Sequence, residues 1–159
     1  MNNVTRRSIH GERGFSLTEL AVVVAVIGIL AVLATPFFLT YLRNAAVEGA
    51  AREVATMLNQ ARQIAIARNQ NVCVRAAATT MRYELGGCGT ANYYRGAGTD
   101  GNGWMRLTDN VSLTTTADPV FTSLGAAAPA ATYTVTHSQY PTITMTVTVA
   151  GSGRVRIGP

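Results

Sequence analysis

Residues 13–42 read RGFSLTELAVVVAVIGILAVLATPFFLTYL, a long apolar run that follows a basic segment. From Leu20 to Leu42 it contains no charged residue over 23 positions. A helix of that length rises roughly 34 Å, which is enough to cross the hydrocarbon core of a bilayer. Residues 1–14 are polar and basic, so we expect an amino terminus held in the cytoplasm. The sequence therefore predicts a helix inserted in a membrane.

Glu19 lies at the edge of this apolar run. A carboxylate inside a membrane costs about 2.5–3.5 kcal/mol by insertion scales, so Glu19 needs a partner. The following helical turn offers no Arg. Cleavage after Gly14 would create an amino group at Phe15, which could pair with Glu19 of the same chain or of a neighbour. Pairing with a neighbour would set the register between stacked subunits.

The segment Arg13–Leu20 resembles the class III signal of type IV prepilins. The resemblance implies that a dedicated peptidase cuts after Gly14 and methylates Phe15. It also implies that Glu19, at the fifth mature position, supports subunit addition. Pro36, the twenty-second residue after the cut, matches the family too, and we expect a helix kink there. Residues before Phe15 would then be a leader peptide.

Two other interpretations of the amino terminus stay open. An ordinary secretory signal would use Arg6 and Arg7 as its basic region and be cleaved before Thr35. The apolar run is long for such a signal, and Glu19 lies in it. An uncleaved single-span anchor would keep residues 1–14. The prepilin interpretation assigns residues 15–42 to a transmembrane and filament-core helix.

A helical pattern continues beyond the apolar run. Apolar residues recur at spacings of three and four, at Val47, Ala50, Val54, Leu58, Ala61 and Ile64. The other side is polar and carries the favourable i,i+4 pair Glu48 and Arg52. We therefore predict one helix from about Ser16 to about Arg68, with residues 43–71 as its amphipathic half. Two separate helices divided at Pro36 are the alternative.

The Asn-Gln-Asn sequence at 69–71 ends the predicted helix, and from residue 72 the apolar period changes towards two. Seven strands are predicted, at Val72–Arg75, Arg82–Leu85, Gly103–Leu107, Val111–Thr115, Tyr133–Thr136, Thr142–Val149 and Arg154–Ile157. The segment Gly125–Ala131 is rich in Ala and Pro and is predicted as a loop. The expected fold is α+β: a long amino-terminal helix packed on an antiparallel sheet in a domain formed by residues 72–159, as in type IV pilins.

Cys73 and Cys88 both follow the membrane segment. An even pair in an exported domain predicts a disulfide, and two free buried thiols are the alternative. His10 and His137 are isolated and cannot complete a metal site with them. Residues 86–103 include seven glycines and are predicted as a flexible surface loop. With no catalytic constellation either, we expect neither an enzyme nor a bound metal or cofactor.

The chain ends with a basic motif, Gly153-Arg154-Val155-Arg156. On a strand, Arg154 and Arg156 share one face and could hold phosphates bidentately without reading a base sequence. Tyr93 and Tyr94 could add base stacking. Alternatively, the two Arg side chains only solvate an edge strand.

Net charge allows a nucleic-acid partner but does not demand one. All 13 basic residues are Arg, and the formal charge of the chain is +5. Loss of the leader would leave ten Arg and seven acidic residues, a charge of +3. Residues 72–159 carry only +2, a weak electrostatic footprint for nucleic acid.

The order of features over most of the chain resembles the FimT and pseudopilin H (GspH) family of minor pilins. Beyond the prepilin signal and long helix, it includes Asn71-Val72-Cys73-Val74, Gly103-Trp104 and the closing Gly-Arg-Val-Arg. In FimT-like proteins the Gly-Arg-x-Arg motif is implicated in binding DNA during natural transformation. By resemblance, Arg154 and Arg156 would carry that role.

The resemblance also implies a cellular role. It predicts a minor subunit that helps to initiate or cap a type IV pilus, with a type II secretion pseudopilin acting in protein export as the alternative. The expected partners are other pilins or pseudopilins, the prepilin peptidase, the inner membrane and double-stranded DNA. The carboxyl-terminal domain is expected in the periplasm before the subunit enters a filament.

Overall fold

In the computed structural model, residues 15–108 and 110–159 are described. The chain divides into two compact units, and the boundary between them lies between Leu39 and Thr40. The predicted leader and its cleavage residue Gly14 lie outside the described residues. The first unit contributes the apolar part of one helix, and the second contains the rest of that helix and every strand.

The long helix, α1, spans Leu17–Ala67 and lies within two residues of the predicted bounds. It continues through Pro36, so the two-helix alternative is wrong, while the kink at Pro36 stays a prediction. The helix ends where Asn69 adopts a φ of 48°. The Gln70 N–H donates to the Ala65 carbonyl at 3.1 Å and the Asn69 N–H to the Ile66 carbonyl at 3.2 Å. These two bonds form a Schellman motif that satisfies carbonyls at the helix end.

The second half of α1 buries one stripe against the domain. Its buried residues are Val47, Ala50, Ala51, Val54, Met57, Leu58, Ala61 and Ala65. The sequence placed Ile64 in this stripe, but Ile64 is only partly buried at its margin. Ala65 takes the buried position because the stripe steps by four residues after Ala61. The predicted Glu48–Arg52 ion pair is present on the solvent side.

In the part of the chain that the structure describes, nine strands follow the helix in two antiparallel sheets. The first sheet has the order β3-β2-β1-β5-β6. Its strands are β1 Val72–Ala77, β2 Thr80–Leu85, β3 Trp104–Arg106, β5 Val120–Phe121 and β6 Ala127–Ala128. The second sheet has the order β4-β7-β8-β9. Its strands are β4 Val111–Thr115, β7 Ala131–His137, β8 Tyr140–Val149 and β9 Val155–Gly158.

All seven predicted strands are present, although most of their ends differ by a few residues. The expectation of one sheet is wrong, because partner choice depends on contacts that strand periodicity does not encode. The sequence also missed β5 and β6, which have two residues each and are too short to establish a period. The predicted loop Gly125–Ala131 contains β6, whose Ala127 N–H donates to the Gly151 carbonyl at 3.0 Å.

The core lies between the second half of α1 and the two sheets. Buried side chains from the helix and both sheets form one apolar cluster. Within it, the Tyr83 hydroxyl of β2 donates to the Met57 carbonyl of α1 at 2.8 Å. This bond satisfies a buried polar group while it ties the sheet to the helix. The expected packing of a long helix on antiparallel strands is therefore confirmed.

Candidate functional site

Near the beginning of α1, the predicted processing residue Phe15 and the predicted assembly residue Glu19 are both exposed. Phe15 is 84% exposed and lies two residues before the first helical residue, Leu17. Ser16 occupies the N-cap position, since its carbonyl accepts a 3.1 Å bond from the Leu20 N–H. Glu19 lies in the first turn, where the unpaired helix N–H groups favour a negative charge. Among the described residues, Glu19 belongs to none of the ion pairs.

The first half of α1 is apolar on every side and buried on none. Every residue from Phe15 to Leu42 is exposed. Of the described helices, α1 alone has the length and composition to cross a membrane. Side chains of this kind are stable in an apolar environment and not in water. This half of the helix must therefore be covered by lipid or by other protein chains.

The disulfide predicted between Cys73 and Cys88 is present, with the two Cα atoms 5.1 Å apart. It joins the start of β1 to the glycine-rich segment after β2. Glu84 anchors the same segment, because its carboxylate accepts a bond from the Gly89 N–H. The segment expected to be a flexible loop is thus held at two points near its beginning.

Glu84 is a buried carboxylate that the sequence pattern does not single out. Its side chain is excluded from solvent and pairs with the guanidinium groups of Arg82 and Arg75. Burial alone would raise its pKa. The hydrogen bonds from Gly89 and Arg82, with the charges of both Arg residues, outweigh burial and hold the pKa of Glu84 below its usual range. The charged cluster therefore keeps Glu84 ionised and holds the glycine-rich segment beside β2.

The two tyrosines predicted as stacking platforms already have partners. The Arg82 guanidinium carbon lies 4.0 Å from the ring centroid of Tyr93 and 4.4 Å from that of Trp104. Tyr94 packs against Tyr83 at a centroid distance of 6.0 Å. Both Tyr93 and Tyr94 are partly buried. The structure thus shows that both tyrosines pack within the glycine-rich segment and against β2. Their partners are distant in the sequence, so the sequence pattern did not predict these contacts.

The basic motif near the carboxyl terminus begins in the turn between β8 and β9. The Gly153 N–H donates to the Ala150 carbonyl at 2.8 Å, and the Ala150 N–H donates to the Arg154 carbonyl at 2.9 Å. Gly153 has a φ of 74°. This is a hairpin turn in which a left-handed residue follows the tight turn, a position that favours glycine.

Gly153 is also enclosed by its surroundings. A Cβ atom added there would lie 1.9 Å from the Gly125 carbonyl oxygen. Such a contact is impossible without a shift of one backbone segment. The glycine of the Gly-Arg-Val-Arg motif therefore has a structural role, which is to bring the two turns together.

Arg154 and Arg156 are exposed at the edge of the second sheet. Arg156 pairs with Thr148 of β8, and Thr148 pairs with Thr132 of β7. Cross-strand partners share one face of a sheet, so a row of hydroxyl groups continues from the arginines. We call this surface the Arg–threonine face; it comprises Thr132, Thr134, Thr136, Thr144, Thr146, Thr148, Arg154 and Arg156.

The Arg–threonine face carries two exposed guanidinium groups. Residues 119–159 include two Arg and no Asp, Glu or Lys. Guanidinium and hydroxyl groups are both common partners of phosphate oxygens in nucleic-acid interfaces. The domain has a small net charge, but its acidic residues all lie before residue 119, outside the segment that carries Arg154 and Arg156. Among the described residues, no group of three or more His, Cys, Asp or Glu could hold a metal ion.

Comparisons with known proteins agree with this architecture. Residues 50–153 match the family model described as type II transport protein GspH. Residues 9–35 match the prokaryotic N-terminal methylation motif. Two curated relatives, both fimbrial proteins of Pseudomonas aeruginosa, are 36% identical over 75 residues, 47% of this chain. That match spans 48% of each relative, about half of its length.

Two solved structures share the fold at low sequence identity. The type IV minor pilin FimU of Pseudomonas aeruginosa has a TM-score of 0.57 at 16% identity, with 71% of this chain and 88% of that chain covered. The minor pseudopilin EpsH from the type 2 secretion system of Vibrio cholerae has a TM-score of 0.54 at 15% identity. The aligned region covers 70% of this chain and 94% of EpsH.

The turn geometry predicts that Gly153→Ala destabilises the domain. The left-handed backbone and the clash with Gly125 together should lower the free energy of unfolding by roughly 2–4 kcal/mol. Thermal unfolding of the detergent-solubilised protein, followed by circular dichroism, measures the change. Gly151→Ala is the matched control, because its Cβ would lie an ordinary 3.8 Å from the Ala127 carbonyl oxygen. Equal unfolding midpoints for the two variants would contradict the structural role of Gly153.

Proposed function

The chain belongs to the GspH family of type II transport proteins, and from this premise we propose that it is a minor pilin or pseudopilin. It is inserted in the inner membrane with its leader in the cytoplasm and its carboxyl-terminal domain in the periplasm. The prepilin peptidase cuts it after Gly14 and methylates Phe15. The processed subunit then leaves the bilayer and joins other pilins in a filament.

The exposed apolar half of α1 carries this proposal. A static membrane anchor would need the same length and composition, but it would not need the amino-terminal methylation motif that residues 9–35 match. In a filament, the lipid around this half-helix is replaced by helices of other subunits, so the side chains keep an apolar environment. The folded second unit stays unchanged during this transfer, because its core is complete without the first unit.

Glu19 supplies the specificity of assembly. Its carboxylate has no ion-pair partner among the described residues and lies at the edge of the apolar run. Removal of the leader produces a positive amine at Phe15 on every subunit. Pairing Glu19 with the amine of a neighbour neutralises both charges in an apolar surrounding and fixes the axial register.

The subunit's position in the filament is the finer part of the proposal. As a minor subunit it helps to initiate or cap the filament, as the FimT and GspH resemblance implies. The structural neighbours include one minor pilin of a type IV pilus and one minor pseudopilin of a secretion system. A type IV pilus is the machine that we propose, and a type II secretion pseudopilus acting in protein export is the alternative.

A second proposed activity is non-specific binding of double-stranded DNA, which would serve natural transformation. The Arg–threonine face supports it, because two exposed guanidinium groups lie beside a row of hydroxyls and no acidic residue occurs in residues 119–159. Binding of this kind depends on phosphate contacts and is weakened by salt. It can occur together with a structural role in the filament.

The assembly proposal predicts the effect of Glu19→Gln. Loss of one partner from an ion pair excluded from water costs about 3–5 kcal/mol. Incorporation into filaments should therefore fall at least roughly tenfold. The measurement compares the variant's amount in sheared filaments with its amount in membranes, in cells that make the partner pilins.

Glu48→Gln is the control for this experiment. Glu48 lies on the same helix, and its exposed ion pair with Arg52 contributes little to stability. This variant should enter filaments as the unaltered chain does. If Glu19→Gln enters filaments at the same level, Glu19 has no assembly role.

The DNA proposal predicts a change in salt dependence. Replacing Arg154 and Arg156 together by Ala should weaken binding to double-stranded DNA. It should also reduce the slope of log affinity against log salt by about 1.8, if each Arg neutralises one phosphate. Fluorescence anisotropy of a labelled duplex at several salt concentrations measures both quantities. Replacing Arg68 and Arg95 by Ala is the control, because it removes the same charge from another part of the domain. Equal losses of DNA affinity in the two double variants would contradict a binding site at Arg154 and Arg156.

A further inference from the structure

The tip of the β7–β8 hairpin is a defined structure with exposed polar side chains. The Ser138 N–H donates to the Asn110 carbonyl at 2.9 Å, and the Gln139 N–H donates to Nδ1 of His137 at 3.2 Å. His137 is only 6% exposed, whereas Ser138, Gln139 and Tyr140 are exposed. The tip therefore presents a fixed polar surface rather than a frayed end.

This tip is held against α1 by an arginine. The guanidinium carbon of Arg43 lies 3.7 Å from the ring centroid of Tyr140. The His137 ring meets the same tyrosine edge-on at a centroid distance of 5.2 Å. A cation–π contact at this distance contributes about 0.5–2 kcal/mol, depending on how far it is removed from water. The contact fixes the hairpin tip beside residue 43 of the helix.

Arg43 marks the end of the apolar run. It is the first charged residue after Glu19, and it follows the 23 uncharged positions that end at Leu42. When the helix spans a bilayer, a guanidinium at this position lies among the lipid headgroups, with its alkyl stem along the hydrocarbon. Since Tyr140 touches Arg43, the hairpin tip must lie at the same level.

The residues near this level have the composition of a membrane interface. Tyr41 is 67% exposed and Tyr140 is 37% exposed, and tyrosine is enriched where hydrocarbon meets headgroups. An Arg close to a lipid surface that contains anionic headgroups such as phosphatidylglycerol gains about 1 kcal/mol from the surface potential. The hairpin adds no opposing charge, because residues 119–153 contain no Asp or Glu. The tyrosines and the guanidinium at this level therefore have the polarity that suits a phospholipid surface.

We propose that the β7–β8 tip, with Tyr41 and Arg43, docks on the phospholipid headgroups of the membrane that α1 spans. The domain then has a second contact with the bilayer besides its anchor, which holds it at the surface until the subunit is extracted. The proposal rests on the membrane-anchoring part of the proposed function and adds the lipid surface as a binding partner. Extraction into a filament must break this contact.

The test uses the full chain in nanodiscs of phosphatidylethanolamine and phosphatidylglycerol. A fluorescent probe is attached at Ser138→Cys or, as the matched control, at Ser152→Cys in the exposed turn at the other end of β8. Cys73 and Cys88 do not react, because they are joined in a disulfide. A nitroxide on the lipid headgroup should quench the probe at position 138 severalfold more strongly than the probe at position 152.

Two further variants make the outcomes decisive. Arg43→Gln should lower the ratio of docked to undocked domain about fivefold in the anionic nanodiscs, and Arg52→Gln should leave it unchanged. Equal quenching at positions 138 and 152, or equal effects of the two Arg variants, would overturn the docking proposal.

A probe at Ala31→Cys reports on the anchor itself. If a nitroxide on the acyl chains fails to quench the probe at position 31, the helix does not span the membrane, and the docking proposal fails with it. If the probe at position 31 is quenched but the probe at position 138 is not, only the docking proposal is overturned.

Discussion

Every residue of the described chain from Phe15 to Leu42 is exposed, and the rest of the account depends on what covers the apolar side chains among them. Large apolar side chains are exposed at 17 positions between Phe15 and Leu42. Since full burial of each contributes about 1.5–3 kcal/mol, leaving them in water would cost tens of kcal/mol. That exceeds the roughly 5–15 kcal/mol that stabilises a typical domain. The half-helix needs a lipid or protein environment, which under the proposed function is first a bilayer and then a filament.

The second half of the same helix must be stable in water. It buries one apolar stripe in the core of a folded domain and exposes its polar side. One helix can meet both requirements because its residue pattern changes at Arg43, from apolar all round to one buried stripe. The strands close this core, while the disulfide and Glu84 hold the glycine-rich segment that the strands leave outside. Changes in the environment of the first half can therefore occur without unfolding the second.

The sequence predicted the features that depend on local pattern. The bounds of α1, the alternation in β8 and the end of the helix at Asn69 all follow from spacing and composition. Features that depend on distant contacts were missed. Nothing near Glu84 in the sequence indicates that it is buried and paired with Arg75. The partners of the tyrosines and the pairing of β5 with β6 likewise arise only in the folded chain. The Arg–threonine face was predicted in part. Residue alternation predicted that Arg154 and Arg156 share one face of a strand, but the row of threonine hydroxyls beside them depends on the register of the sheet.

The central claim is that the amino terminus is processed to prepare α1 for polymerisation. Mass spectrometry of the amino-terminal peptide from the membrane-extracted protein tests it most directly. The account predicts a chain that starts at Phe15 with a methylated amino group, so that a free positive amine faces Glu19 of the next subunit. A chain that starts at Thr35 would indicate ordinary secretion, and an intact Met1 would indicate a static anchor; either result would contradict the account.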